Sequence, residues 1–218
     1  MAASLQTRRW TRLLLAVLLV DVFVVPPMLA IGVMPYWLAA VVTTASLLVT
    51  AAALAGHHGA RGVILTVAVV AIAGHWLHGF RYDTDAVAIL AVVATAIAGW
   101  TFAGLFLVDA FGKGKLQDRL IAVLLAYVFL GSAWAQTYHA IDLAIPGALA
   151  IPEKAHPASS YIYFSFSTLT SVGFGDIVPV NPIARSLAVL EALTGQLYLV
   201  IVVARFAGEA AISRSPDG

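Results

Sequence analysis

The chain has 218 residues, of which 61% are hydrophobic and only 11% charged, a composition that excludes an ordinary soluble globular domain and points to a membrane protein. Its net charge of +1 gives no electrostatic case for nucleic acid. With no cysteine it has no disulfide, no thiolate metal site and no cysteine nucleophile.

Hydrophobic runs long enough to cross the ~30 Å hydrocarbon layer, about 20 residues each, follow one another along the chain. Residues 10–31 form the first, with Arg8, Arg9 and Arg12 at its start. A basic start before an apolar stretch also fits a signal peptide, but Asp21 interrupts the stretch and no clean A-x-A-like site follows. Residues 35–56 form a second span, with Pro35 placed at a helix start. Residues 61–79 and 85–108 form the third and fourth, separated by the polar turn Phe80–Thr84. A linker with Lys113, Lys115 and Arg119 leads to the fifth span, 119–141, and the sixth runs over 182–207. Six spans put both ends on one side. Arg8, Arg9, Arg12, Arg61, Lys113, Lys115, Arg119, Arg205 and Arg214 then fall on that side, against Arg81, Lys154 and Arg185 on the other, so the basic residues mark it as cytoplasmic. The fourth span has no Arg or Lys, so no voltage sensor of the usual kind is expected. The short tails leave no room for a soluble ligand-binding domain, and a bacterial inner membrane is the expected location.

Residues 142–181 are too long for a tight turn and too weakly hydrophobic to span as one helix. Pro146, Pro152 and Pro157 make their first half a loop, after which Ser159 or Ser160 caps a short helix, Tyr161–Leu169, aimed C-terminal end inward. Next comes Thr170-Ser171-Val172-Gly173-Phe174-Gly175-Asp176. Glycines at alternate positions let a backbone point successive carbonyl oxygens one way, a row that binds a dehydrated cation once other subunits complete the ring. Such non-helical backbone is tolerated at membrane depth only where protein or a water-filled pore covers it.

These residues resemble the selectivity filter of potassium channels, usually Thr-Val-Gly-Tyr-Gly-Asp. The resemblance extends over about residues 117–208 and implies an all-α membrane protein: six transmembrane helices with a re-entrant pore helix and filter between the fifth and sixth. With the four spans read before it, the chain divides into a four-helix region over 1–112, a pore domain over 117–208 and a short cytoplasmic tail over 209–218. Thr170 to Gly175 would form the filter, with K+ as permeant ion at Ser171, Val172, Gly173 and Phe174, and Asp176 at the outer mouth. Ser171 replaces the family's threonine and keeps a hydroxyl for the innermost site; Phe174 replaces its tyrosine. Tyr163 and Phe164 stand where the family's aromatic pair backs the filter, and Ser167 where it often has a glutamate. Gly195, twenty residues beyond Gly175, corresponds to the hinge of the pore-lining helix; close helix packing uses the same missing Cβ.

Asp21 and Glu191 are acids inside predicted spans and are therefore functional candidates, Asp21 as a hydrogen-bonded or ion-sensing group and Glu191 as a tie between the sixth helix and its neighbours. His75 with His78, and His57 with His58, lack the further ligands of a metal site. Trp10, Trp37, Trp76, Trp100 and Trp134 fall toward span ends, as interfacial anchors do. Arg205 and Glu209 are spaced as a solvated i,i+4 pair. The function expected is passive potassium conduction by a homotetramer in a lipid bilayer, with no catalytic residue, no cofactor and no nucleic-acid partner. The alternatives are a non-selective cation channel, since Ser171, Phe174 and Ser167 depart from the usual pattern, and a proton-coupled transporter using Asp21 and Glu191. An intramembrane hydrolase would need Ser132 and His139 together, which their i,i+7 spacing disfavours.

Overall fold

The computed structural model describes residues 2–79, 85–153 and 155–212. The Phe80–Thr84 turn, Lys154 and residues 213–218, with the charges Arg81 and Arg214, lie outside the described residues, as do the side chains of Arg8, Arg9, His58 and His78. In chain order the elements are α1 (Ala2–Phe23), α2 (Val25–Ala30), α3 (Tyr36–Ala53), α4 (Arg61–Gly79), α5 (Asp85–Phe111), α6 (Leu116–Ala144), β1 (Leu149–Ala150), α7 (Pro157–Leu169), β2 (Val178–Pro179) and α8 (Pro182–Ile212). The protein is an all-α multi-pass membrane protein with five helices long and apolar enough to cross a bilayer among the described residues. Of the six predicted runs the third, α4, falls short: its apolar part, Arg61–Leu77, stops below the 18 residues the others reach.

The first run is two helices rather than one. Pro26 and Pro27 open α2 after a turn at Val24, because proline has no amide hydrogen to continue the ladder of α1. Proline also starts the last two helices. Pro182 opens α8 behind Asn181, whose Oδ1 accepts the Ile183 amide at 2.8 Å. Pro157 opens α7 four residues earlier than the sequence predicts, so Ser159 and Ser160 lie inside its first turn and donate to the His156 carbonyl at 3.0 and 2.9 Å instead of capping the helix.

Helix α6 is the axis of the molecule. In its most apolar window 61% of residues are buried, against 11% for α8. It packs on α5, α1 and α7, while α1, α3, α4 and α5 contact one another in sequence to form the N-terminal bundle. Phe102 and Phe106 of α5 enclose Phe129 of α6 with ring centroids 5.5 and 5.8 Å away. Trp134, expected at an interface, is a core residue 4% exposed, set edge-on to Trp100 at 5.0 Å. Asp21 of α1 accepts Thr43 Oγ1 of α3 at 2.8 Å, and Trp76 Nε1 donates to Thr44 Oγ1 at 2.9 Å.

Two of the attachments of α8 lie near its middle and at its far end. Near its middle, Gly195 lets it lie directly on the last turn of α7, since a Cβ there would fall onto the Leu169 carbonyl oxygen. At its far end Glu209 accepts both guanidinium nitrogens of Arg119, at 2.7 and 3.0 Å, as well as Arg205 Nε at 2.9 Å. The expected Arg205–Glu209 pair thus forms, but as part of a three-residue network. Arg119, itself buried, also donates Nε to the Ala110 carbonyl of α5 at 2.9 Å and lies over the Phe206 ring at 5.0 Å, so one side chain joins three helices.

Arg119→Lys retains the charge but loses the planar fork; the detergent-solubilised variant is expected to melt below the wild type, with the gap narrowing as salt is raised. Gly195→Val is expected to cost about 1–3 kcal/mol of stability or more, because backbone, not a flexible side-chain end, must give way. A wild-type melting temperature in the same assay would contradict the packing at that turn.

Candidate functional site

Helix α7 ends at Leu169, and the backbone turns sharply away from it. Ser171, Gly173 and Gly175 have φ of 59°, 56° and 80°, so every second residue of the Thr170–Gly175 segment is left-handed. A Cβ at Gly173 or Gly175 would meet open space, so glycine is needed there for backbone conformation rather than room. The left-handed set includes a third member that glycine spacing did not disclose, the non-glycine Ser171.

The amides of this segment face α7. Ser171 N donates to the Thr168 carbonyl at 2.9 Å, Val172 N and Gly173 N both donate to the Ser167 carbonyl at 3.0 and 3.1 Å, and Phe174 N approaches Ser167 Oγ at 3.4 Å. Such convergence of successive amides on one acceptor is what alternating handedness produces. Among the described residues no peptide bond is cis, and in a trans peptide the carbonyl points opposite the amide. The carbonyl groups of Thr170, Ser171, Val172 and Gly173 are therefore turned away from α7 toward its unoccupied side. Thr170 Oγ1 is spent on the Phe166 carbonyl at 2.6 Å. The side chains of Val172 and Phe174 are 56% and 68% exposed in the single chain.

Beyond the segment, Asp176 Oδ1 accepts the Tyr163 hydroxyl at 2.9 Å, and the Tyr163 ring stacks on Phe174 at 5.8 Å. Tyr163 thus holds Asp176, while Ser167, at the position of the family's glutamate, holds the backbone. Phe164, its partner in sequence, is buried against Tyr138. Both ends of the loop are fastened: Leu149 and Ala150 pair antiparallel with Pro179 and Val178, and Val180 N donates to the Ala148 carbonyl at 2.9 Å. Asp142 at the end of α6 accepts Tyr161 at 2.6 Å and the Leu149 amide at 3.3 Å.

Glu191, fully buried, accepts Ser165 Oγ of α7 at 2.6 Å, and the same hydroxyl lies 2.7 Å from the Gly131 carbonyl of α6. The Tyr138 hydroxyl lies beside the same carboxyl group. Asp21 bonds to α3, so the two intramembrane acids share no partner. Ser132 and His139 are likewise not brought together: Ser132 bonds back to Val128, and His139 stacks on Tyr161 at 4.5 Å. His57 pairs with Asp109 at 3.0 Å, and His75 stacks on Tyr36 at 5.4 Å. Gly195 sits in an unbroken α8, one turn beyond Glu191, against Leu169. The residue beside it, Gln196, reaches Ser171 Oγ at 2.9 Å and was not singled out from sequence, where a lone amide in an apolar helix carries no motif.

Comparison with known proteins bears on the same segment. Residues 122–210 match the model of a family described as ion channels. A stretch of 60 residues is 38% identical to the inward rectifier potassium channel Kirbac3.1 of Paramagnetospirillum magnetotacticum, covering 25% of this chain and about a fifth, 20%, of that protein's length. Protein LctB of Bacillus caldotenax is 28% identical over 126 residues, which cover 54% of this chain and 92% of LctB. No solved structure matches. From the second turn of α6 to the end of α8, this membrane protein carries an ion-channel segment that resembles the pore-domain family of potassium channels.

Proposed function

We propose that the protein is a potassium-selective channel in which four copies bring their Thr170–Gly175 segments around one axis. The observation that carries this reading is the alternating backbone, whose carbonyl groups from Thr170 to Gly173 all turn away from the helix that anchors them. One copy supplies one wall of oxygens. A dehydrated cation needs them on every side, so the arrangement has a use only around a symmetry axis. The sparse burial of α8 and the exposure of Val172 and Phe174 support the same conclusion, because these surfaces then meet other copies or the pore.

In this reading α7 and the segment after it form a re-entrant loop within a pore domain over 117–208, and α4 completes six crossings, since 17 residues lie at the short end of what spans a bilayer. Ions shed water against the carbonyls of Ser171, Val172, Gly173 and Phe174 and advance by mutual repulsion. Asp176 concentrates cations at the outer mouth. The basic residues place both chain ends in the cytoplasm, with the bacterial inner membrane as the setting. Gly195 serves α8 first as a packing residue, and any bending there must also release Leu169.

The test is cation flux into liposomes holding the full chain, with opposed potassium and sodium gradients. The wild type is expected to settle near the potassium equilibrium potential. Gly175→Ala places a Cβ on a left-handed residue at a cost of about 1–2 kcal/mol and is expected to abolish or sharply reduce the flux. A potential near zero that Gly175→Ala still alters would favour a non-selective cation pore; uptake that saturates and follows a proton gradient would favour a transporter. Mass measurement of the protein in detergent or nanodiscs is expected to give four subunits, and a monomer that conducts would refute the shared pore.

A further inference from the structure

We infer that Gln196 is a positioning residue for the inner end of the ion path: it holds Ser171 in its left-handed conformation and so ties the selectivity of the segment to α8. The inference rests on the reading of Thr170–Gly175 as the ion path.

Among the three left-handed residues, Ser171 is the one with a Cβ, at φ 59°. Such a conformation costs an ordinary residue about 1–2 kcal/mol and persists where its surroundings hold it. Two bonds do so. The Ser171 amide donates to Thr168 inside α7, and Gln196 Nε2 donates to Ser171 Oγ at 2.9 Å from outside α7. The second bond is, among the described residues, the only side-chain hydrogen bond between α8 and the segment that turns its carbonyl groups away from α7, and it joins residues 25 apart in sequence.

The route by which Gln196 reaches Ser171 is also visible. From Ala192 to Ala204 the polar side chains of α8 are Thr194, Gln196 and Tyr198. Thr194 bonds back to the Leu190 carbonyl at 2.7 Å, and Tyr198 donates to the Val123 carbonyl of α6 at 2.5 Å. Gln196 alone of the three is directed at the segment. Its neighbour Gly195 brings α8 against Leu169, two residues before Ser171, and a bulkier residue there would push the amide out of reach. A primary amide has two donors and an acceptor, and a serine hydroxyl two lone pairs. With one lone pair of Ser171 engaged by Gln196, the other stays available to a cation, and the hydroxyl is held in one orientation instead of rotating.

Two measurements on the full chain test this. In liposomes under bi-ionic potassium and sodium, Gln196→Leu is expected to lower the potassium-to-sodium permeability ratio at least fivefold while current persists, and Gln196→Glu, which can still accept from the Ser171 hydroxyl, to retain more of it. Gln196→Leu combined with Ser171→Ala is expected to be no worse than the lower single variant, the non-additivity of a shared bond. Amide hydrogen exchange of the peptide over residues 167–176, which needs no conduction, is expected to be faster in Gln196→Leu and unchanged in Thr194→Val. An unaltered permeability ratio in a conducting Gln196→Leu, additive effects, or unchanged exchange protection would each overturn the inference. A wild type that carries no cation flux would instead remove the channel reading, and exchange would still decide whether Gln196 holds Ser171.

Discussion

Everything at the centre of this molecule depends on finding hydrogen-bond acceptors for four consecutive amides that leave the end of a helix. An amide shut away from water without a partner costs several kcal/mol. The last turn of α7 answers this with two carbonyls and one hydroxyl, from Thr168 and Ser167. Once the amides converge there, the direction of the carbonyl groups is no longer free. The helix that satisfies the donors thereby decides where the acceptors face.

Anchoring that helix becomes the next requirement, and the rest of the chain meets it. Ser165 ties α7 to both α6 and Glu191 of α8; Tyr161 ties it to Asp142; Phe23 at the end of α1 packs edge-on against Phe166 at 4.8 Å. A buried carboxyl such as Glu191 is costly by itself and is justified here by a bond that fixes the relative height of two helices. The small β1–β2 pair joins the loop before α7 to the loop after Asp176, which would otherwise be independent.

Much of this was legible in the sequence, for reasons that differ by element. Long apolar runs disclose spanning helices whatever their packing, which is why α3, α5, α6 and α8 lie close to where hydropathy puts them. Alternate glycines disclose left-handed positions because few other residues accept them. Ser171 carries no such mark, since its conformation is imposed by partners distant in sequence. The same limit hides Arg119 and Glu209, 90 residues apart, and the core position of Trp134, whose size and location along α6 fit an interface equally well. The early start of α7 is hidden because the two serines are good caps, and Pro157, an equally good signal one turn before, fits a loop as well as a helix start.

The uneven burial along the chain bears on how the protein is made. The N-terminal bundle and α6 bury one another, whereas α8 finds few partners within the chain. Synthesis from the N-terminus therefore lets the bundle and α6 pack before α8 is released. An apolar helix with few partners can wait in a bilayer, among lipid tails as apolar as itself, without the exposed face that would drive a water-soluble intermediate to aggregate.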